Sequence, residues 1–142
     1  MSWSADLVAV RGFVVDAIQV VWPGIVVAVD TPEGDFGVPF ARVVTKDLEF
    51  EPDSVLVDRL KVSFEIMVRR SVASGVVSEA LLADATALRS ELLASGNPAG
   101  VAELPMVRRV WIEQGSAGDG EFDLKMEFLC ELCAERGSRW RV

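Results

Sequence analysis

Residues 60–70 read Leu-Lys-Val-Ser-Phe-Glu-Ile-Met-Val-Arg-Arg. Leu60, Val62, Phe64, Ile66 and Val68 share one parity; Lys61, Ser63, Glu65, Met67 and Arg69 share the other. Side chains alternate across a strand, so this spacing predicts one long strand with an apolar side and a mostly polar side. The pattern recurs near the end of the chain. There Phe122, Leu124, Met126, Phe128, Cys130 and Leu132 alternate with Asp123, Lys125, Glu127, Leu129, Glu131 and Cys133. Two such ribbons need a layer against their apolar sides, and the helices must supply it.

Two helical patterns are available. Leu7, Val10, Val14, Ala17, Ile18 and Val21 recur at helical spacing, with Phe13 at the edge of the stripe. Ser2 or Ser4 can cap this helix, Asp6 lies near its positive end, and Pro23–Gly24 stops it. In the second helix Leu81, Ala85, Leu88 and Leu92 form the stripe, Ser78 is the candidate cap, and Gly96, Asn97 and Pro98 end it.

Between these helices, residues 25–29 are continuously apolar and predict a short buried strand. An acidic loop follows at 30–37. Residues 38–50 resume strand character with imperfect alternation, which implies a bulge or an edge position. A turn at 51–54 then joins them in a hairpin to the strand over 57–70. Residues 106–114 and 121–135 form a second hairpin around the polar, glycine-rich loop 115–120. The order is helix, three strands, helix, two strands, with short links between consecutive strands. It predicts an α+β two-layer sandwich: a largely antiparallel sheet with two helices packed on one face, in a single domain spanning 1–142.

The chemistry such a chain can host is narrow. It contains no histidine, so the commonest general base near neutral pH and many metal sites are excluded. The serines lack their usual activating partner. No G-x-G-x-x-G or G-x-x-x-x-G-K-[ST] occurs, hence no phosphate cradle is expected. Cys130 and Cys133 have C-x-x-C spacing, but residues three apart on a strand face opposite ways, so they read as two reduced thiols with Cys130 in the core. Asp47, Glu49, Glu51 and Asp53 alternate along a strand end and, with the 30–35 loop, could hold a divalent cation. They lack the regular calcium-loop spacing and read better as a solvated face. No catalytic residue, cofactor or metal site is assigned, and the chain is not expected to be an enzyme. The net charge of −8 disfavours sequence-independent nucleic-acid binding. No signal peptide or membrane-length apolar run is visible.

Exposed tryptophan and arginine favour contact surfaces. Trp140, between Arg139 and Arg141, lies beyond the last strand, where partner contact and folding back onto its own domain are both open. Trp111 sits between Val110 and Ile112, so one side of this strand must present an apolar residue outward.

The sequence also resembles a known family. A first helix and a short strand are followed by a Thr-Pro-Glu-Gly-Asp loop and a Val-Pro-Phe-Ala-Arg-Val-Val strand. The long alternating strand, the Leu-Leu-Ala-Asp-Ala-Thr-Ala-Leu-Arg-Ser-Glu-Leu-Leu helix and a closing hairpin complete the layout. It looks like the tail terminator, or tail-to-head joining, proteins of long-tailed bacteriophages. The resemblance implies a virion protein assembled in the host cytoplasm. It implies a ring, a hexamer in this family, that caps the tail tube, ends its polymerisation and offers a docking surface to a head-completion or connector protein. DNA would pass through the lumen without specific binding. The candidate assembly contacts are Glu33, Asp35 and Phe36 in the acidic loop, Arg69 and Arg70 at a strand end, Ser116 and Asp119 in the hairpin tip, and Arg139 and Trp140 in the tail. Another neck or minor tail component, such as a stopper, is the alternative role, and a small divalent-metal-binding module the third.

Overall fold

The structure is a computed structural model that describes residues 3–31, 38–52, 57–72, 76–94, 98–114 and 120–135. Its elements follow the order α1 (Trp3–Val21), β1 (Val26–Val29), β2 (Phe40–Pro52), β3 (Val57–Ser71), α2 (Val77–Leu93), a 3-10 turn (Pro98–Gly100), β4 (Ala102–Gln114) and β5 (Glu121–Glu135). The five strands form one sheet in the order β1-β2-β3-β5-β4. All neighbours are antiparallel except β1 and β2, which run parallel. This is the expected α+β arrangement, a mostly antiparallel sheet with two helices.

β3 and β5 are the centre of the sheet. Their pairing runs from Val57–Glu135 to Ser71–Glu121 without a register shift. It sets Phe64 beside Phe128 and Ile66 beside Met126, so the apolar parities of both ribbons fall on one face. That face is fully buried along Leu60, Val62, Phe64, Ile66, Val68, Leu124, Met126, Phe128, Cys130 and Leu132. Because the side-chain period is two, a slip of one residue would turn the whole row to solvent; burial therefore fixes the register.

Both helices lie on this face. Val10, Val14, Ala17 and Ile18 of α1, and Leu81, Ala85, Leu88 and Leu92 of α2, join the strand residues in one apolar cluster. Pro23 and Gly24 end α1 as expected. Gly24 takes the left-handed conformation (φ +80°), which lets the Ile25 N–H reach the Trp22 carbonyl at 3.1 Å and turns the chain into β1. Arg70 leaves β3 on the helix side and pairs with Asp84 of α2 at 2.7 Å, tying that helix to the sheet.

Several expectations are corrected. β1 is an edge strand with Val26 and Val29 partly exposed, not a buried one, and it pairs in parallel with β2. Parallel neighbours cannot be joined as a tight hairpin. Asp30 ties the end of β1 to β2 and to α1. Its N–H donates to the Val43 carbonyl at 2.8 Å, and its carboxylate accepts from the Thr45 N–H at 2.7 Å and from Arg11 of α1. The irregular alternation of β2 is a bulge, as expected: it lies between Thr45 and Asp47, beyond the Phe40–Val43 stretch that β1 covers. α2 begins at Val77 with Val76 as an uncapped N-cap, so Ser78 sits inside the first turn. Ser4 likewise lies within α1, and Asp6 is buried among the core-facing positions of that helix.

β4 starts four residues earlier than the sequence suggests, at Ala102. The obstacle to seeing it is Leu104–Pro105. Leu104 has φ +52°, and the pairing to β5 shifts between Glu103 and Met106 and again between Val107 and Arg109. Proline donates no ladder bond and is tolerated at such a bulge on an edge strand.

Candidate assembly surface

Among the described residues, the second face of the sheet carries no helix. Strand alternation places Arg59, Lys61, Ser63, Glu65, Met67 and Arg69 of β3 there, flanked by Arg42, Val44, Asp47, Glu49 and Glu51 of β2. On the other side stand Asp123, Lys125, Glu127, Leu129, Glu131 and Cys133 of β5, with Met106, Arg109, Trp111 and Glu113 of β4.

Cross-strand ion pairs organise this face. Arg69 grips Asp123 with two bonds, 2.6 and 2.9 Å, and its guanidinium lies 5.2 Å from the centre of the Phe40 ring. Arg59 pairs with Glu131, and Arg108 with Glu127. Lys61 meets Glu51 at 2.8 Å; that bond and its charge hold the ammonium above its ordinary range. Lys125 meets Glu113 at 2.9 Å and keeps that carboxyl below its usual range. Arg109 stacks over Trp111 at 4.6 Å, and the Trp111 indole N–H donates to Glu113 at 3.3 Å. Trp111 thus faces the open side, and Val110 and Ile112 turn towards the helices while remaining partly exposed. Exposed pairs of this kind contribute little each; the bidentate Arg69–Asp123 pair, with its carboxylate buried, is the exception.

Beside the bulges of β2 and β4, near the middle of β3 and β5, the open face holds a groove of about 400 Å³. Leu104, Met106 and Leu129 give it an apolar strip, and Asp47, Glu49, Lys61, Arg108 and Glu131 give it charged borders.

The cysteines sit as the spacing required, on opposite faces. Burial, reinforced by the Glu131 charge, pushes the Cys130 thiol up to about 12, so it is a core side chain with no nucleophilic role near neutral pH. Cys133 is on the open face with its thiol also raised: burial leads, the Arg59 charge opposes it, and Glu103 and Glu131 add to it; its Sγ lies 3.7 Å from Glu103 Oε2. Among the described residues no group of three or more cysteines, aspartates or glutamates could hold a metal ion. The Asp47, Glu49 and Glu51 row projects along the open face; Asp53 lies outside the described residues.

Of the contact residues expected from the sequence, Arg69 and Arg70 are described, and both are held in intrachain pairs on opposite faces of the sheet. Glu33, Asp35, Phe36, Ser116, Asp119, Arg139 and Trp140 lie outside the described residues. The groove residues Leu104 and Met106 carry no periodic signal, because the bulge that exposes them breaks the alternation. Leu129 does carry one: it is the apolar residue in the polar parity of its ribbon.

Two edges complete the surface. Among the described residues, β1 and β4 each pair on one side only. Val26 and Val29 on one edge, and Leu104, Met106, Val110 and Ile112 on the other, are exposed apolar residues beside those edges. Trp3, at the start of α1, packs edge-on against Phe50 at 5.9 Å, and Phe50 remains 52% exposed. No helix among the described residues is long and apolar enough to cross a membrane.

No family model and no curated protein matches the sequence. Solved structures do match the fold. A chain from the virion of a native gene transfer agent particle superposes with a TM-score of 0.63 at 13% identity, covering 89% of this chain and 93% of that one. A second solved protein, of no stated activity, superposes with a TM-score of 0.51 at 16% identity, covering 93% and 96%. The fold of this chain is thus one that also serves, almost from end to end, in a gene transfer agent virion.

Proposed function

We propose that this chain is a structural protein of a phage-type virion and acts as its tail terminator. In this reading several copies close into a ring on the end of the tail tube, stop its growth and present a docking surface to a head-completion or connector protein. The observation that carries the proposal is the fold shared over nearly the full length of both chains with a component of a gene transfer agent virion. The chemistry of the surface supports it. Much of the charge on the described open face is paired across strands, as Arg59–Glu131, Lys61–Glu51, Arg69–Asp123, Arg108–Glu127 and Lys125–Glu113.

A closed ring needs two different, complementary patches on each copy. The two free sheet edges and their apolar fringes are suited to that. The loops carrying Glu33, Asp35, Phe36, Ser116 and Asp119 are the proposed contacts to the tube or connector. An acidic chain lining the lumen would let DNA slide by without adhering. The ring is six-membered in the family the sequence resembles, and the same number is proposed here.

The test is assembly. Purified chain added to growing tail tubes is expected to yield tubes of arrested length with extra density at one end, seen by negative-stain microscopy. Tubes that continue to grow with undecorated ends would overturn the reading. Decoration elsewhere on the particle would assign the chain to another part of the neck or tail.

A further inference from the structure

We infer that the groove on the open face is the docking site for helix α2 of a second copy of this chain, with Leu82 of that helix on the groove's apolar strip and Arg89 against its acids. The contact rests on the ring reading and deepens it, because it names two different patches that neighbouring copies would join.

The chemistry of the two patches is complementary. Leu104 and Met106 are exposed beside Leu129 and form the apolar strip. Asp47 and Glu49 border it; both are exposed, and neither forms an ion pair among the described residues. Lys61, between them and the strip, is engaged by Glu51. In α2, Leu81, Ala85, Leu88 and Leu92 face the core. Leu82, 65% exposed, and the exposed Arg89 project from one flank of that helix, about two turns apart. Arg89 has no ion-pair partner among the described residues. Thr86, between them on the same flank, donates its hydroxyl to the Leu82 carbonyl at 2.8 Å, so no unsatisfied donor enters the contact. An apolar strip bordered by unpaired acids matches a leucine followed by an unpaired arginine.

The spacings agree as well. At about 1.5 Å per residue, Leu82 and Arg89 lie about 10 Å apart along the helix. On the sheet Asp47 is aligned with Ser63, Ser63 with Leu129, and Leu129 with Met106. Two strand spacings, about 10 Å, separate Asp47 from Leu129. A helix laid across the strands therefore sets its leucine over Leu129 and Met106 while its arginine reaches Asp47 and Glu49, with Thr86 above Ser63. The groove is on one layer and α2 on the other, so each copy offers its helix to one neighbour and its groove to the next.

Cross-linking tests the contact. In a Cys133→Ser background, chain carrying Ser63→Cys is mixed with chain carrying Thr86→Cys and treated with a short bismaleimide, alone at high concentration and on tail tubes. A joined pair with one copy of each is expected. Arg89→Glu in the helix-tagged chain should lower its yield at least about tenfold, and Asp47→Arg with Glu49→Arg in the groove-tagged chain should restore it, with circular dichroism unchanged throughout. Absence of the joined pair under both conditions would overturn the inference, as would a yield indifferent to the charge reversals. Joined pairs on tubes that keep growing would uphold this contact and refute the terminator role; arrested tubes without joined pairs would do the opposite.

Discussion

Replacing Phe64 by alanine tests the architecture at its centre. The ring is fully buried, beside Phe128 on β5 and opposite Thr45 on β2, beneath the helix layer. Burying a phenylalanine side chain is worth about 2 kcal/mol in transfer free energy. The space it leaves cannot collapse far, because β3 is held on both sides by paired strands; a residual cavity on the order of 80 Å³ at about 24 cal/mol per Å³ adds about 2 kcal/mol. The sum, about 4 kcal/mol, is a large part of the roughly 7–20 kcal/mol expected for a chain of this length. Urea unfolding followed by circular dichroism should show a lower midpoint with an unchanged slope. Phe50→Ala, at a residue 52% exposed, is the control and should cost less than about 1.5 kcal/mol. Similar losses at the two positions, or a Phe64→Ala loss below about 1 kcal/mol, would refute the placement of Phe64 at the middle of the core. Phe64→Ala with Phe128→Ala should depart from additivity, since the two rings border one space.

Four further outcomes are expected. Arg69→Leu strands the buried Asp123 carboxylate and should destabilise by about 3 kcal/mol, with Asp123→Asn partly rescuing it; equal stability of Arg69→Leu and the native chain in urea would contradict the geometry. Cys130 binds its proton more tightly folded, at about 12, than at its ordinary value of 9.0, so stability falls as pH rises above 9; Cys130→Val should flatten that fall in thermal melts between pH 9 and 11. Asp30 has the opposite sign. Burial alone would raise its carboxyl, but the bonds from Thr45 and Arg11 prevail and hold it below 3.8; its contribution is complete above that value and lost as pH falls beneath it, and Asp30→Asn should remove this acid-side dependence. In native buffer a thiol reagent should modify Cys133 well before Cys130, and simultaneous labelling would show that the core face of β5 is not closed.

Period-two alternation in 60–70 and 122–132 made the central strands and their buried face readable, because each ribbon has one neighbourhood on each side. The stripe Leu81, Ala85, Leu88 and Leu92 was equally readable, and all four residues are buried. What escaped depends on partners remote in sequence. A short apolar run such as 25–29 does not declare whether a second strand covers its far side, and among the described residues none does. Leu104–Pro105 resembles a connection locally, yet the β5 ladder captures it on both sides of a bulge. Arg69 and Arg70 looked like free surface charge, because Asp123 and Asp84 are 54 and 14 residues away. The groove arises where two bulges on separate strands coincide, and no local pattern encodes that coincidence.

The dislocated pairing of β4 has a consequence for the chain's behaviour in a crowded cell. An edge of thirteen residues would be a template for amyloid-like stacking if it were straight. Its two register breaks leave Arg109–Gln114 as the longest uninterrupted rung sequence, and a kinked rim does not lie flat against a copy of itself. Fibre growth through this rim would first require the kinks to be ironed out, whereas a single complementary neighbour can be shaped to them.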